Sequence, residues 1–289
     1  MTPAQRIAAE FATSRVALAG FALLALVLLA AALAPWISPQ DPYDLARLDL
    51  LDSRLPPGAR SAAGTVYWLG TDDQGRDMLS AILYGLRTSV AVGFASTALG
   101  LTIGVSLGLA AAWLGGWLDA LLMRVADLQL SFPSILIALV LLAVLGQGLD
   151  KIIVALVAVQ WAYYARTARA AALVERRKEY IDAAVALALS NARIIFRHLL
   201  PNCLPPLLVL ATVQVAAAIT LEATLSFLGL GLPITQPSLG LLISNGFNYL
   251  LSGHYWISVF PGIALVLAVV SINLVADRLQ DVLDPHERR

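Results

Sequence analysis

The chain has 289 residues, 59% of them hydrophobic and only 13% charged, with 19 basic residues balancing 19 acidic ones. A soluble domain carries about 25% charged residues, so this composition excludes an ordinary soluble protein and specifies an integral membrane protein. The one cysteine, Cys203, excludes an internal disulfide and any multi-cysteine zinc site, and it is expected to pack beside Pro205 and Pro206 at a helix entrance.

Six apolar, charge-poor runs are long enough to cross about 30 Å of hydrocarbon, and all must be helical because irregular backbone cannot face lipid. The first is Val16 to Ala34. Arg6 and Arg15 before it and Ala32-Leu33-Ala34 at its end imitate a signal peptide, but the run is too long and Pro35 would hinder cleavage, so a retained anchor is expected. The segment from 35 to 87 follows, with five arginines and seven aspartates; it is rich in turn residues, too poor in apolar ones for a core, and reads as an external loop.

The second span runs from about Thr88 to Trp113. Gly100, Gly104 and Gly108 on it, at i, i+4 and i+8 after Gly93, form a face for close helix packing, within the chain or against a partner. The third covers about Leu128 to Leu145, and the fourth, about Ile152 to Ala165, is short and carries Gln160. The fifth runs from about Pro206 to Phe227 and the sixth from about Trp256 to Ala276.

Between the fourth and fifth spans lies a polar interruption, Glu179-Tyr180-Ile181-Asp182-Ala183-Ala184 running on to Leu200-Pro201. Tyr180, Ala183, Ala184 and Leu187 fall at i, i+3, i+4 and i+7, one stripe of a helix. Two alanines make that stripe shallow, as a helix docked closely in a groove requires; an amphipathic helix lying flat at the interface has the same periodicity. With the N-terminus inside, six spans return the C-terminus to the same side, and 13 of the 19 basic residues then fall on inner segments. The loop from Leu228 to Tyr255 has none. The positive-inside rule therefore places both termini and the polar interruption in the cytoplasm.

The chemistry is that of a conduit. The only lysines, Lys151 and Lys178, do not follow a glycine, so no phosphate-binding G-x-x-x-x-G-K-[ST] loop exists. His198, His254 and His286 are scattered, with no metal or nucleophile-base spacing. No catalytic, cofactor or metal residue is expected. Polar side chains inside the spans are the default candidates for a translocation path: Gln160, Gln214, Glu222 and Asn273, together with Thr220 and, entering the third span, Asp127 and Gln129. Glu222 is the one acid well inside an apolar run; it suits either a water-filled path or a hydrogen bond between helices.

Three segments carry a resemblance. EYIDAAVALALSNARIIFRHLLPN resembles the "EAA" loop of binding-protein-dependent ABC importer permeases, with Asp182-Ala183-Ala184 at the EAA positions and Leu200-Pro201 at its close. Asp182 stands for the usual Glu and keeps the charge; Ala188 stands for the usual Gly and removes the residue best able to turn the chain. Trp68-Leu69-Gly70-Thr71-Asp72-Asp73-Gln74-Gly75-Arg76-Asp77 resembles the external "LGTDxxGRD" stretch of the dipeptide, oligopeptide and nickel group. As residues, its aspartates, Gly75 and Arg76 suit a hydrogen-bonded turn that staples the loop to the bundle. Leu225 to Gly231, with Pro237-Ser238-Leu239-Gly240, resembles the exit of that group's fifth helix.

The resemblance implies an all-α integral membrane fold, a six-transmembrane-helix importer permease with cytoplasmic coupling helices. It divides the chain into a tail (1–15), an anchor helix (16–34), an external loop (35–87), a core (88–276) containing the EAA-like loop (166–205), and a second tail (277–289). It also implies a non-catalytic subunit of the bacterial inner membrane, with lipid around it and no nucleic acid. Its partners would be a second permease, two ATPase subunits that hold ATP and magnesium, and an external solute-binding protein. Glu179, Tyr180, Asp182, Ala183, Ala184, Leu187, Ala188, Leu200 and Pro201 would form the ATPase-coupling surface. Di- or oligopeptides are the expected cargo, with nickel or another small solute as the alternative within the group. An ion-coupled secondary transporter with Glu222 as its ion site is the competing class, and a membrane-bound assembly factor a third.

Overall fold

The computed structural model describes residues 5, 9–44, 48–61 and 64–283. Arg6, His286 and the last residues of the C-terminal tail lie outside this set. Among the described residues, nine helices of eight or more residues carry the fold. α1 (Arg15–Ile37) starts where the Ser14 side chain accepts the Ala17 N–H. α2 (Met78–Leu114) begins in the same way at Asp77, whose carboxylate accepts from Ser80 N, and ends at Gly115 in the left-handed region at φ 63°. With 37 residues it is about 55 Å long, more than the hydrocarbon requires. The helix that carries the second span therefore starts ten residues before the expected Thr88.

The third span is broken. α3 (Gly116–Leu130) and α4 (Ser134–Leu145) meet at a 93° bend. Pro133 sits at the break: it has no N–H to continue the helix and pushes Phe132 away from helical backbone. The expected straight helix from Leu128 to Leu145 is corrected accordingly. α5 (Leu149–Glu175) has 27 residues, so the fourth span is long, not short. Gln160 and the arginines Arg166 and Arg169 interrupt its apolar run, which is why it reads as a fragment in the sequence. By length and apolarity four helices (α1, α2, α9 and the run ending in α7) qualify as spans, and the bent pair makes a fifth. α5, which runs between the same two ends, makes the sixth.

α6 (Glu179–Ala186) is the separate helix of the polar interruption. A wide turn over Ile194–Leu199 then leads into α7 (Leu200–Phe227), with Leu200 N donating five residues back to Ile195 O. Pro201, without an N–H, follows at once. The short α8 (Leu239–Phe247) lies at the far end, and α9 (Trp256–Leu283) closes the bundle. Within the segment 38–77 a small hairpin pairs β1 (Ala59–Arg60) with β2 (Val66–Tyr67).

The glycine face of α2 is a seam inside this chain. A Cβ on Gly104 would lie 2.5 Å from the Trp161 carbonyl of α5, and one on Gly108 would meet Ala165 and Ala168. Cross-contacts define two ends of the bundle. At one end Trp256 Nε1 donates to Thr71 O, Arg76 to Ile234 O, and Gln147 to Gly229 O. At the other, Arg176 donates to Ala112 O and Trp113 O, and Arg278 to Glu10 O. The first end gathers 38–77 with 228–255; the second gathers the start of α1, α6 and the end of α9. That alternation is the up-and-down order required of six spans.

Candidate functional site

A cavity of 510 Å³ opens in the bundle between α4, α5, α7 and α9. Gln160, Gln214 and Asn273, three of the four expected path residues, line it together. Ser134, Tyr163, Thr220 and Thr224 complete its polar side, and no charged side chain is among its lining. Gln160 is held by Thr97, whose Oγ1 donates to Gln160 Oε1 at 3.4 Å. Gln214, Ala217, Thr220 and Thr224 share one face of α7 at helical spacing. The sequence thus carried a signal for Thr224, which reasoning from buried polarity alone passes over, and for Tyr163, one turn on from Gln160 along α5; Ser134 enters only through the bend before α4.

Glu222 does not join them. Two residues on from Thr220, it points to the opposite side of α7, is fully buried, and accepts from Ser89 Oγ at 2.7 Å and Ser226 Oγ at 2.8 Å. It ties α7 to α2, and its place in the expected path is corrected: a helix pointing Gln214 and Thr220 at the cavity must turn residue 222 away. Gln129 is likewise a clamp, with its Nε2 donating to Ala158 O and Val159 O and its Oε1 accepting from Trp161 Nε1.

The end of the bundle that gathers α6 carries the second feature. α6 turns Ile181 and Ala184 onto Ile194, Trp113 and Leu189. Ala184 is only 5% exposed, so the expected stripe is corrected: its solvent side holds Glu179, Asp182, Ala183 and Leu187, the last 74% exposed, while Ala184 serves the chain's own core. Tyr180 also works inward. Its hydroxyl donates to Glu175 Oε2 at 2.6 Å and accepts from Asn202 Nδ2 at 3.2 Å, joining the end of α5 to the start of α7. Burial first, then the Glu175 carboxylate, holds the Tyr180 phenol up at about 12.

Ala188, exposed, turns the chain after α6 at φ 52°. The turn thus forms without the usual glycine, at the cost of left-handed backbone on a residue with a Cβ. Leu200 and Pro201 open α7. Cys203 is fully buried against Leu199 and Leu207.

At the opposite end the Asp72–Arg76 pair, both fully buried and 2.6 Å apart, closes the turn foreseen for the LGTDxxGRD-like stretch. Asp72 Oδ1 also accepts from Gln74 N and Arg76 N. The Thr71 hydroxyl donates to Asp52 O, and Trp256 reaches Thr71 O. The stretch is a staple, tied to residues 158 and 185 positions further along the chain.

Two family models match the chain: "Binding-protein-dependent transport system inner membrane component" over residues 100–289 and "N-terminal TM domain of oligopeptide transport permease C" over residues 2–57. A putative peptide transport system permease of Brucella suis is 43% identical over 92% of this chain and 86% of its own. The dipeptide transport system permease DppC of Haemophilus influenzae is 37% identical over 98% and 95%. The probable D,D-dipeptide permease DdpC of Escherichia coli is 38% identical over 91% and 85%. Among solved structures, a chain of the MetNI methionine ABC transporter in an inward-facing form superposes with a TM-score of 0.55 at 23% identity, over 72% of this chain and 98% of that one. That likeness shows a shared fold. These matches define a multi-pass membrane permease of the ABC importer class. The chain belongs to the family of inner membrane components of binding-protein-dependent transport systems.

Proposed function

We propose that this chain forms half of the translocation path of an ATP-driven importer of di- or oligopeptides. The observation that carries the reading is the convergence of Gln160, Gln214 and Asn273 on one uncharged cavity inside the bundle. Carboxamides and hydroxyls both donate and accept, which suits a peptide backbone and leaves side-chain charge unselected. The peptide names of the relatives from Haemophilus influenzae and Escherichia coli support the same cargo.

The chain itself is a non-catalytic conduit. ATP and magnesium sit on two separate cytoplasmic ATPase subunits, a second permease supplies the other half of the path, and an external solute-binding protein delivers the cargo. Both termini and α6 face the cytoplasm, in keeping with the positive-inside distribution. The solvent side of α6, with Glu179, Asp182, Ala183, Leu187 and Ala188, docks on an ATPase; Tyr180, Ala184, Leu200 and Pro201 shape the helix beneath it. The position of Glu222 off the cavity favours this over an ion-coupled carrier, whose ion site would have to face the path.

The test is to fill the cavity. Thr220→Trp places a large ring on its wall and should abolish peptide uptake in proteoliposomes of the full complex, while ATPase subunits still co-purify in normal amounts. Normal uptake by that variant would remove the cavity from the path.

A further inference from the structure

The N-terminus of α4 opens uncapped at the transport cavity. Pro133 stands at its cap position and makes no side-chain hydrogen bond. Ser134 comes one residue too late to cap, and its Oγ lies 3.5 Å from the Tyr163 hydroxyl instead. Among the described residues nothing accepts from Ser134 N or Ile135 N, and both residues line the cavity. The first N–H groups of a helix carry partial positive charge, and broken membrane helices turn such ends toward anionic substrate groups. The break stands level with the middle of α5, since Gln129 just before it reaches Ala158 O and Val159 O.

Two side chains point to a ligand independently of that helix end. Gln214, only 9% exposed, lines the same cavity, and among the described residues no group hydrogen-bonds its amide. A buried carboxamide without a partner is costly unless something in the cavity pairs with it. Gln160, 3% exposed, gives its Oε1 to Thr97, which leaves Nε2 as a donor on the cavity wall. The threonines are the reverse. Thr220 Oγ1 donates to Ala216 O and Thr224 Oγ1 to Thr220 O, so toward the cavity their hydroxyls can only accept. Donors therefore gather where α4 meets α5, and hydroxyl acceptors line α7.

We infer that the open end of α4, with the Gln160 and Gln214 amides, is a subsite for the C-terminal carboxylate of a short peptide in transit. The subsite rests on the reading that this cavity is the path, and it orients the cargo: carboxylate at α4, peptide N–H groups toward Thr220 and Thr224. No charged side chain lines the cavity, so no acid repels the carboxylate and no base traps it.

The test is equilibrium binding of radiolabelled alanylalanine and of its C-terminal amide to the full membrane complex in nanodiscs. The solute-binding protein is left out, so that only the membrane site is read. The free acid should bind saturably and the amide about tenfold more weakly, as the loss of one charge-assisted hydrogen bond implies. Ser134→Asp puts a carboxylate on the helix end itself. An acid there favours the helix, so α4 keeps its start, and the preference for the free acid should vanish. If that variant fails to assemble with the ATPases, Ser134→Pro supplies the same comparison. It deletes the Ser134 N–H at a helix position that tolerates proline, after a Pro133 already extended at ψ 128°.

Equal binding of acid and amide by the unaltered complex would overturn the subsite, as would an undiminished preference in the variants. So would the lack of saturable binding by a complex that still transports. Each of these leaves the path itself standing. Normal uptake by Thr220→Trp is the separate result that would remove the path.

Discussion

Arg76 and Asp72 are the residues on which the layer formed by the segment 38–77 depends most. Both are fully buried, and a buried pair broken from one side leaves an uncompensated charge. Arg76→Met should therefore cost about 3–5 kcal/mol, read as a lower thermal midpoint of the purified protein together with faster proteolysis of the segment 38–77. Ala188 offers the opposite change. At φ 52° it pays for its Cβ, and Ala188→Gly should stabilise the turn by about 1 kcal/mol, seen as a higher midpoint with uptake retained.

Asp73 and Asp77 in the same layer are held above the usual carboxylate range, chiefly by burial. The folded state then holds their protons more tightly than the unfolded chain does. Their stabilising contribution is complete below the unfolded value and is lost as pH rises through the folded one. Acidification from about pH 7 to about pH 4 should raise the thermal midpoint of this layer, and Asp77→Asn should flatten that slope. A midpoint that falls at the same rate in both proteins would refute the assignment.

At the scale of elements, much was legible in the sequence. Apolar length located the spans, the staple turn followed from its aspartates, glycine and arginine, and the Gly100/Gly104/Gly108 spacing found a close seam. What the sequence could not say was which helix lies across that seam, because a glycine face fits any neighbour; the neighbour is α5. The bend before α4 depends on where Pro133 falls within a continuous apolar run, and hydropathy is blind to it. For α6 the period was readable but the phase was not. Ile181 and Ala184 face inward because Trp113 and Ile194 wait beneath them, and Trp113 is remote in sequence. Glu222 and Gln214 are both buried polar residues of α7, so polarity alone could not tell that only Gln214 lines the cavity.

Two substitutions follow at this scale. Gly104→Val would drive its side chain into the Trp161 carbonyl and should separate α2 from α5, lowering the yield of folded protein. On α6, Leu187→Asp alters a side chain 74% exposed and should lower ATPase association and uptake without loss of folding. Ala184→Trp overfills the chain's own core instead, so it should lower the thermal midpoint. If Leu187→Asp couples normally while Ala184→Trp is stable, α6 docks by a different face.

For the whole molecule, two ends joined by six crossings require that 38–77 and 228–255 share one side and α6 the other. A cysteine placed at Asp52 in a Cys203→Ser background should react with a membrane-impermeant maleimide in intact spheroplasts, and Arg177→Cys should not. The central claim is that this chain is a passive conduit driven by ATP hydrolysis elsewhere. Its most direct test is peptide uptake by proteoliposomes holding this chain with the second permease, the ATPases and the solute-binding protein, compared with this chain alone under an imposed proton gradient. The account predicts ATP-dependent uptake by the full complex, substantial uptake when Glu222→Gln replaces a carboxylate that only ties helices, and none by the isolated chain. Gradient-driven uptake by the chain alone, abolished by Glu222→Gln, would contradict it.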